Sequence, residues 1–132
     1  MRRLAMALLS CAACSAVVDG RIQRYEGACA DEEEATLGRY DGRSVTEIAM
    51  TCHGCPSEDC VEDCILDATQ GNLTFECTAC FADGEVCRQT SCAAECGDGG
   101  DPQACADCFC ASTCAHDFEE CAGLATPSCP AT

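Results

Sequence analysis

The sequence predicts a small all-α, disulfide-rich domain made of two repeated helical hairpins stapled by cystines. Three observations carry that prediction. Cysteine makes up 18 of 132 residues, above the ~8–10% that marks a disulfide scaffold. The cysteines recur at helical steps: Cys60/Cys64, Cys92/Cys96 and Cys110/Cys114 are i, i+4 and Cys77/Cys80 are i, i+3, which places each pair on one helix face. Turn-forming runs, Thr69-Gln70-Gly71-Asn72 and Gly97-Asp98-Gly99-Gly100-Asp101-Pro102, separate the helical stretches.

Residues 1–16 read as a signal peptide. Arg2-Arg3 precede an apolar run, Leu4–Val18, that ends in small residues and then Asp19-Gly20. The run is too short to span a bilayer. Leu8-Leu9-Ser10-Cys11 is similar to a bacterial lipobox, with Cys11 as the lipidated residue; Cys14 is the alternative acceptor. Lipidation at either would tether the chain to a membrane. An outer-membrane lipoprotein, a periplasmic protein and an extracellular protein all remain open, and each meets an oxidising compartment where disulfides persist. Parity favours Cys14 or ordinary cleavage near Ala16, since either leaves sixteen cysteines, enough for eight bridges.

Residues 17–51 contain an acidic run, Asp31–Glu34, and no sustained apolar period. They read as an acidic linker, largely irregular. Ser44-Val45-Thr46-Glu47 offers a capping box for one short helix leading to Met50. Cys29 is expected to tether the linker to the core.

Residues 52–129 form the cysteine-rich domain. They hold fifteen of the cysteines but only ten larger aliphatic or phenyl side chains, too few to stabilise so small a domain by apolar burial alone. Helices are expected near 58–67, 75–88, 91–96 and 103–121. Bridged positions across an antiparallel hairpin have nearly constant index sums. Cys60–Cys80 with Cys64–Cys77, and Cys92–Cys108 with Cys96–Cys105, both satisfy this. Cys92–Cys114 with Cys96–Cys110 fits the second unit as well, so spacing leaves connectivity open. Phe81 and Phe109, each directly after a Cys-x2-Cys, are expected where the hairpins meet.

The run of Cys-x3-Cys and Cys-x2-Cys pairs, ending Asp117-Phe118-Glu119-Glu120-Cys121-Ala122-Gly123, resembles a cysteine-rich class of exported myxobacterial proteins over roughly residues 52–124. The resemblance implies an envelope location and disulfides, and no catalytic activity.

Charge and spacing narrow the function. Lysine is absent, and residues 52–129 set fifteen acidic side chains against one basic one, Arg88. Binding nucleic acid needs clustered cations, so that partner class is excluded. Thiolate metal binding is the main alternative to a scaffold. Cys52, Cys55, Cys77 and Cys80 have nearly a two-knuckle zinc spacing. Cuprous ions favour thiolates, and Cys105–His116 is similar to four-helix copper-storage proteins, although glycine-rich turns interrupt the long helices that such a bundle needs. Covalent haem is excluded because Pro56, Phe81 and Phe109, not histidine, follow the Cys-x2-Cys pairs. No nucleophile stands beside a histidine free to orient it, and no carboxylate pair is singled out by spacing. The expectation is a non-enzymatic binding or structural domain of unknown partner that needs no cofactor, with Cu(I) or Zn as the alternative.

Overall fold

A computed structural model describes residues 27–126, 129 and 130. The signal segment 1–16, with Cys11 and Cys14, lies outside the described residues. Among those described are seven helices and one isolated bridge. They are α1 (Glu33–Leu37), α2 (Val45–Thr51), α3 (Glu58–Ala68), α4 (Phe75–Ser91), α5 (Ala93–Cys96), α6 (Pro102–Ala111) and α7 (Thr113–Ala122). The small all-α, disulfide-rich class is the observed one.

Local chemistry sets the helix boundaries. Ser44 and Glu47 close the capping box that starts α2: the Glu47 amide donates to Ser44 Oγ at 3.2 Å and the Ser44 amide to Glu47 Oε2 at 2.6 Å. Ser57 and Thr74 cap α3 and α4 by accepting the amides of Cys60 and Cys77. Asp101 caps α6, with Pro102 in its first turn. Gln70 and Gly71, both at positive φ, reverse the chain between α3 and α4. Gly123, left-handed at φ 69°, ends α7.

The expected helix over 103–121 is two helices. Ser112 is extended, at φ −85° and ψ 172°. Its amide donates back to Cys108 O at 2.9 Å, while its Oγ accepts the Cys114 amide at 3.2 Å. One serine thus closes α6 and opens α7, redirecting the chain.

α4 is the hub, packing chiefly on α3 and α7. The core unites Val45 and Ile48 of α2, Val61 and Ile65 of α3, Leu73, Cys77 and Phe81 of the turn and α4, and Phe118 and Ala122 of α7. Phe81 and Phe118 meet edge to face with centroids 5.1 Å apart.

Of the stretch read as a linker, residues 27–51 are described; they contain α1 and α2 and dock on α7. Asp41 and Gly42, both at positive φ, form a two-residue turn inside the Tyr40–Arg43 bridge. The amides of Ala28 and Cys29 donate to Cys121 O and Ala122 O at 2.8 and 2.9 Å, satisfying carbonyls in the last turn of α7 that the helix leaves open. Gly27, at φ 89°, approaches Gly123 so closely that a Cβ on it would lie 2.2 Å from the Gly123 nitrogen. Cys29 is fully buried and bonded to Cys77. The segment lacks apolar periodicity because it docks through backbone groups, one cysteine and the short α2.

All sixteen cysteines from Cys29 onward form eight disulfides: Cys29–Cys77, Cys52–Cys64, Cys55–Cys60, Cys80–Cys121, Cys87–Cys114, Cys92–Cys108, Cys96–Cys105 and Cys110–Cys129. So many cystines point to an oxidising, non-cytoplasmic environment. The nested pairs of the second unit, Cys92–Cys108 and Cys96–Cys105, join α5 to α6. The expected Cys60–Cys80 and Cys64–Cys77 pairs are absent, because the face of α3 turned to α4 is filled by Val61 and Ile65. Cys60 and Cys64, one position round the helix, stand on its half-buried flank and bond to Cys55 and Cys52 instead. α5 has no buried residue, so cysteines themselves make its contact with α6. The nested rule therefore holds only where no larger apolar side chain claims the interface.

Candidate functional site

An open cleft lies between α2, α4, α6 and α7 and offers about 160 Å³ to the centres of water-sized molecules. α4 presents Phe81, Gly84, Glu85 and Arg88, and α6 presents Pro102, Cys105, Ala106 and Phe109. Each set follows i, i+3, i+4, i+7, one continuous helix face. α2 adds Thr46, Ala49 and Met50, α7 adds Phe118, and Thr126 closes one side from the tail. Met50 is 45% exposed. Gly84 keeps the wall low: a Cβ there would touch Phe118 Cδ2 at 3.4 Å, so its absence leaves room where α4 crosses α7. Phe81 and Phe109 both face this cleft.

The cleft also contains a buried ion pair. Glu85 and Arg88 are 4% and 8% exposed. Arg88 Nε donates to Glu85 Oε2 at 2.7 Å and Nη2 to Oε1 at 2.5 Å, a bidentate pair across one helical turn. Gln89 Nε2 donates to the same Oε1 at 2.9 Å, and Arg88 Nη1 points to the Cys105 sulfur at 3.2 Å. The one cation of residues 52–129 is therefore spent on internal neutralisation. A buried charge needs such pairing, since either partner alone would lose its hydration uncompensated.

Thr126 is the anomaly of the wall. Its amide donates to Glu119 Oε1 at 3.0 Å, but its buried hydroxyl has no hydrogen-bond partner among the described residues. Buried hydroxyls are normally satisfied, so this one requires an explanation.

The residues singled out for metal are not brought together. Cys52, Cys55, Cys77 and Cys80 enter four different cystines, with Cys64, Cys60, Cys29 and Cys121. Each sulfur has a carbon and a sulfur neighbour, and none is the thiolate that zinc requires. Of Cys105–His116, Cys105 bonds to Cys96, Cys108 to Cys92, Cys110 to Cys129 and Cys114 to Cys87. Cys92, Glu95 and Cys108 place ligand-type atoms within 4.8 Å of one another, but the two cysteines are bonded to each other. His53 and His116 are exposed and neither lines the cleft; His116 Nε2 lies 3.5 Å from Glu120 Oε1 at the surface. The acidic run is used structurally: Glu32 accepts from the Thr74 amide and hydroxyl, and Glu34 accepts from the Tyr40 hydroxyl at 2.7 Å. Partial burial, together with that hydrogen bond and the Glu34 charge, raises the Tyr40 pKa. Across α3 and α4, the charge of Asp83 pushes the Glu58 carboxyl up, with a hydrogen bond between the two side chains adding to it.

Sequence reasoning did not find Gly84, Glu85 or Thr126. A signal existed for the ion pair: a sole cation among fifteen acids, with a glutamate three residues before it on the same helix. Thr126 carries no such signal, since its setting depends on the tail's path. No described helix is long and apolar enough to cross a membrane. Neither a family model, nor a curated protein, nor a solved structure matches the chain.

Proposed function

We propose that this protein is an exported, envelope-associated binding domain without enzymatic activity, in which cystines replace a large core as the frame of a ligand cleft. The observation that carries the reading is that all sixteen cysteines from Cys29 onward are paired, while an apolar cleft stays open between the helices they join. The Cys80–Cys121 and Cys87–Cys114 bridges clamp α4 to α7, and Cys92–Cys108 and Cys96–Cys105 clamp α5 to α6. A site held this way loses little freedom on binding, which favours affinity. Export rests on the basic and apolar N-terminal segment and on the oxidised cysteines. Attachment to the envelope rests on the lipobox-like Leu8–Cys11, with Cys14 as second acceptor, and on the resemblance to exported cysteine-rich proteins.

The test is the mass of protein recovered from an oxidising compartment, with and without alkylation, combined with metal analysis. The expected result is sixteen hydrogens missing relative to the reduced chain, no alkylation and no stoichiometric metal. Abundant alkylatable thiols with bound zinc or cuprous copper would replace this reading with thiolate metal binding. The mass of the N-terminal peptide reports whether Cys11 or Cys14 has a lipid.

A further inference from the structure

We infer that the Cys96–Cys105 bridge is a thiol-exchange site, at which Cys96 takes up a low-molecular-weight thiol and Cys105 is the sulfur released. This modification goes beyond the binding-domain reading and does not depend on what the cleft takes.

The one cation of residues 52–129 points at this bridge. Arg88 uses Nε and Nη2 on the Glu85 carboxylate, and its remaining Nη1 donates to the Cys105 sulfur at 3.2 Å. Arg88 and Cys105 are 8% and 6% exposed, so water screens the contact little. A bonded sulfur is only a weak acceptor, and in the intact bridge the contact adds little. Once the bridge opens with the electrons left on Cys105, the same nitrogen meets a thiolate, and a charge-assisted bond replaces a weak one. Glu85 opposes that charge, but it is held on the Nε and Nη2 edge, so the ion pair presents its positive end to the sulfur.

The neighbouring bridge has the opposite setting. Cys92–Cys108 joins the same two helices, but the charge beside it is the Glu95 carboxylate, within 4.8 Å of both sulfurs, and a carboxylate disfavours a thiolate. Cys92 is also fully buried. Of the two bridges between α5 and α6, one favours release of a sulfur and the other resists it.

Access has the same direction. Cys96 is half-buried at the end of α5, a helix with no buried residue, whereas Cys105 is buried. The more accessible sulfur is the one that must be attacked for Cys105 to leave. The bridge closes only a 9-residue loop, and Cys92–Cys108 still joins α5 to α6 when it opens, so little of the constraint on the chain is lost. In the exchange a thiolate attacks Cys96 Sγ and a mixed disulfide forms there. The Cys96–Cys105 bond breaks, and its electron pair stays on Cys105 as a thiolate beside Arg88. The incoming sulfur is oxidised as Cys105 is reduced, charge is conserved, and no other oxidant takes part.

The test treats the full exported protein, all its bridges formed, with limiting cysteamine, a small cationic thiol suited to an acidic surface. N-ethylmaleimide then traps free thiols, and the modified cysteines are mapped by mass. The first product is expected to have cysteamine on Cys96 and maleimide on Cys105, with the other bridges intact. Cys55–Cys60 is the internal reference: both its cysteines are half-buried, it spans 5 residues, and Glu58 and Asp59 adjoin it in place of a cation. Exchange at Cys96–Cys105 is expected to be roughly 10-fold faster than at this reference, the low end for a hydrogen bond to a charged group. Replacing Glu85 and Arg88 together by Met should remove that advantage and leave the Cys55–Cys60 rate unchanged; mere loosening of the core would instead speed both. Glu85→Gln keeps Arg88 and removes the opposing charge, and should speed exchange at Cys96–Cys105 alone. The inference is overturned if another bridge opens first, if cysteamine is found on Cys105, or if the double Met variant exchanges as fast as wild type. A Glu85→Gln variant that is no faster than wild type overturns it as well. The wild-type map and Glu85→Gln decide the matter even where the double variant fails to fold.

Discussion

Removing the Cys29–Cys77 bridge tests whether the N-terminal segment is part of the folded unit. The perturbation is Cys29→Ala with Cys77→Ala, which leaves an even number of cysteines. The bridge closes a 48-residue loop, and the chain-entropy relation assigns a loop of that length about 4 kcal/mol. The nested Cys52–Cys64 bridge shortens the free path by 12 residues, but the dependence is logarithmic, so the figure falls by only a few tenths of a kcal/mol. Both cysteines are fully buried, and the lost sulfurs add a cavity term of the same sign. The control is Cys55→Ala with Cys60→Ala. That bridge spans 5 residues and has neither cysteine buried, for which the same relation gives about 2 kcal/mol. Guanidinium unfolding of the oxidised proteins, followed by helical circular dichroism, should therefore rank the first variant about 2 kcal/mol below the second. Mapping the remaining bridges by mass confirms that neither variant has reshuffled. If the two variants are equally stable, or the Cys55/Cys60 variant is the weaker, residues 27–51 are a tether rather than a packed part of the domain.

Gly27→Ala should cost at least about 3 kcal/mol, since it combines a left-handed backbone with a Cβ placed 2.2 Å from the Gly123 nitrogen; a thermal melt within a few degrees of wild type would refute that contact. Glu85→Ala leaves the Arg88 guanidinium buried without its partner and should cost about 3–5 kcal/mol, whereas replacing both residues by Met should cost much less. Equal losses in the single and double variants would show that the pair is not what matters. The Glu58–Asp83 contact predicts a pH dependence. Asp83 raises the Glu58 pKa in the folded state, so repulsion between the two carboxylates weakens the fold above that raised value. It is relieved as pH falls through it, because the folded state then holds the extra proton. Asp83→Asn should shift the denaturation midpoint upward near pH 7, with the gain gone below the unfolded glutamate value of about 4.3. A gain that persists in acid would assign the effect to something other than this repulsion.

What the sequence reveals and what it hides divide along a physical line. Helix starts are written in single residues that act on their own backbone, so Ser44 with Glu47 announces α2, and Pro102 marks the start of α6. The class follows just as directly, because a chain this rich in cysteine with so few large apolar groups has few other ways to hold together. Pairing is different, since it depends on which face of a helix wins the interface. Val61 and Ile65 outcompete Cys60 and Cys64 for contact with α4 because their burial removes more apolar surface from water. In α5, where Ala93, Ala94 and Glu95 separate the cysteines, nothing competes and the nested pairs form. The same consideration explains why residues 27–51 show no apolar pattern. Their docking groups are amides of Ala28 and Cys29 and the bare Cα of Gly27, none of which contributes to a hydropathy pattern. The cleft follows this rule too. Its α4 face could be read from the steps Phe81, Gly84, Glu85, Arg88, but its fourth wall depends on how Thr126 returns past Glu119, a tertiary contact that no local spacing encodes.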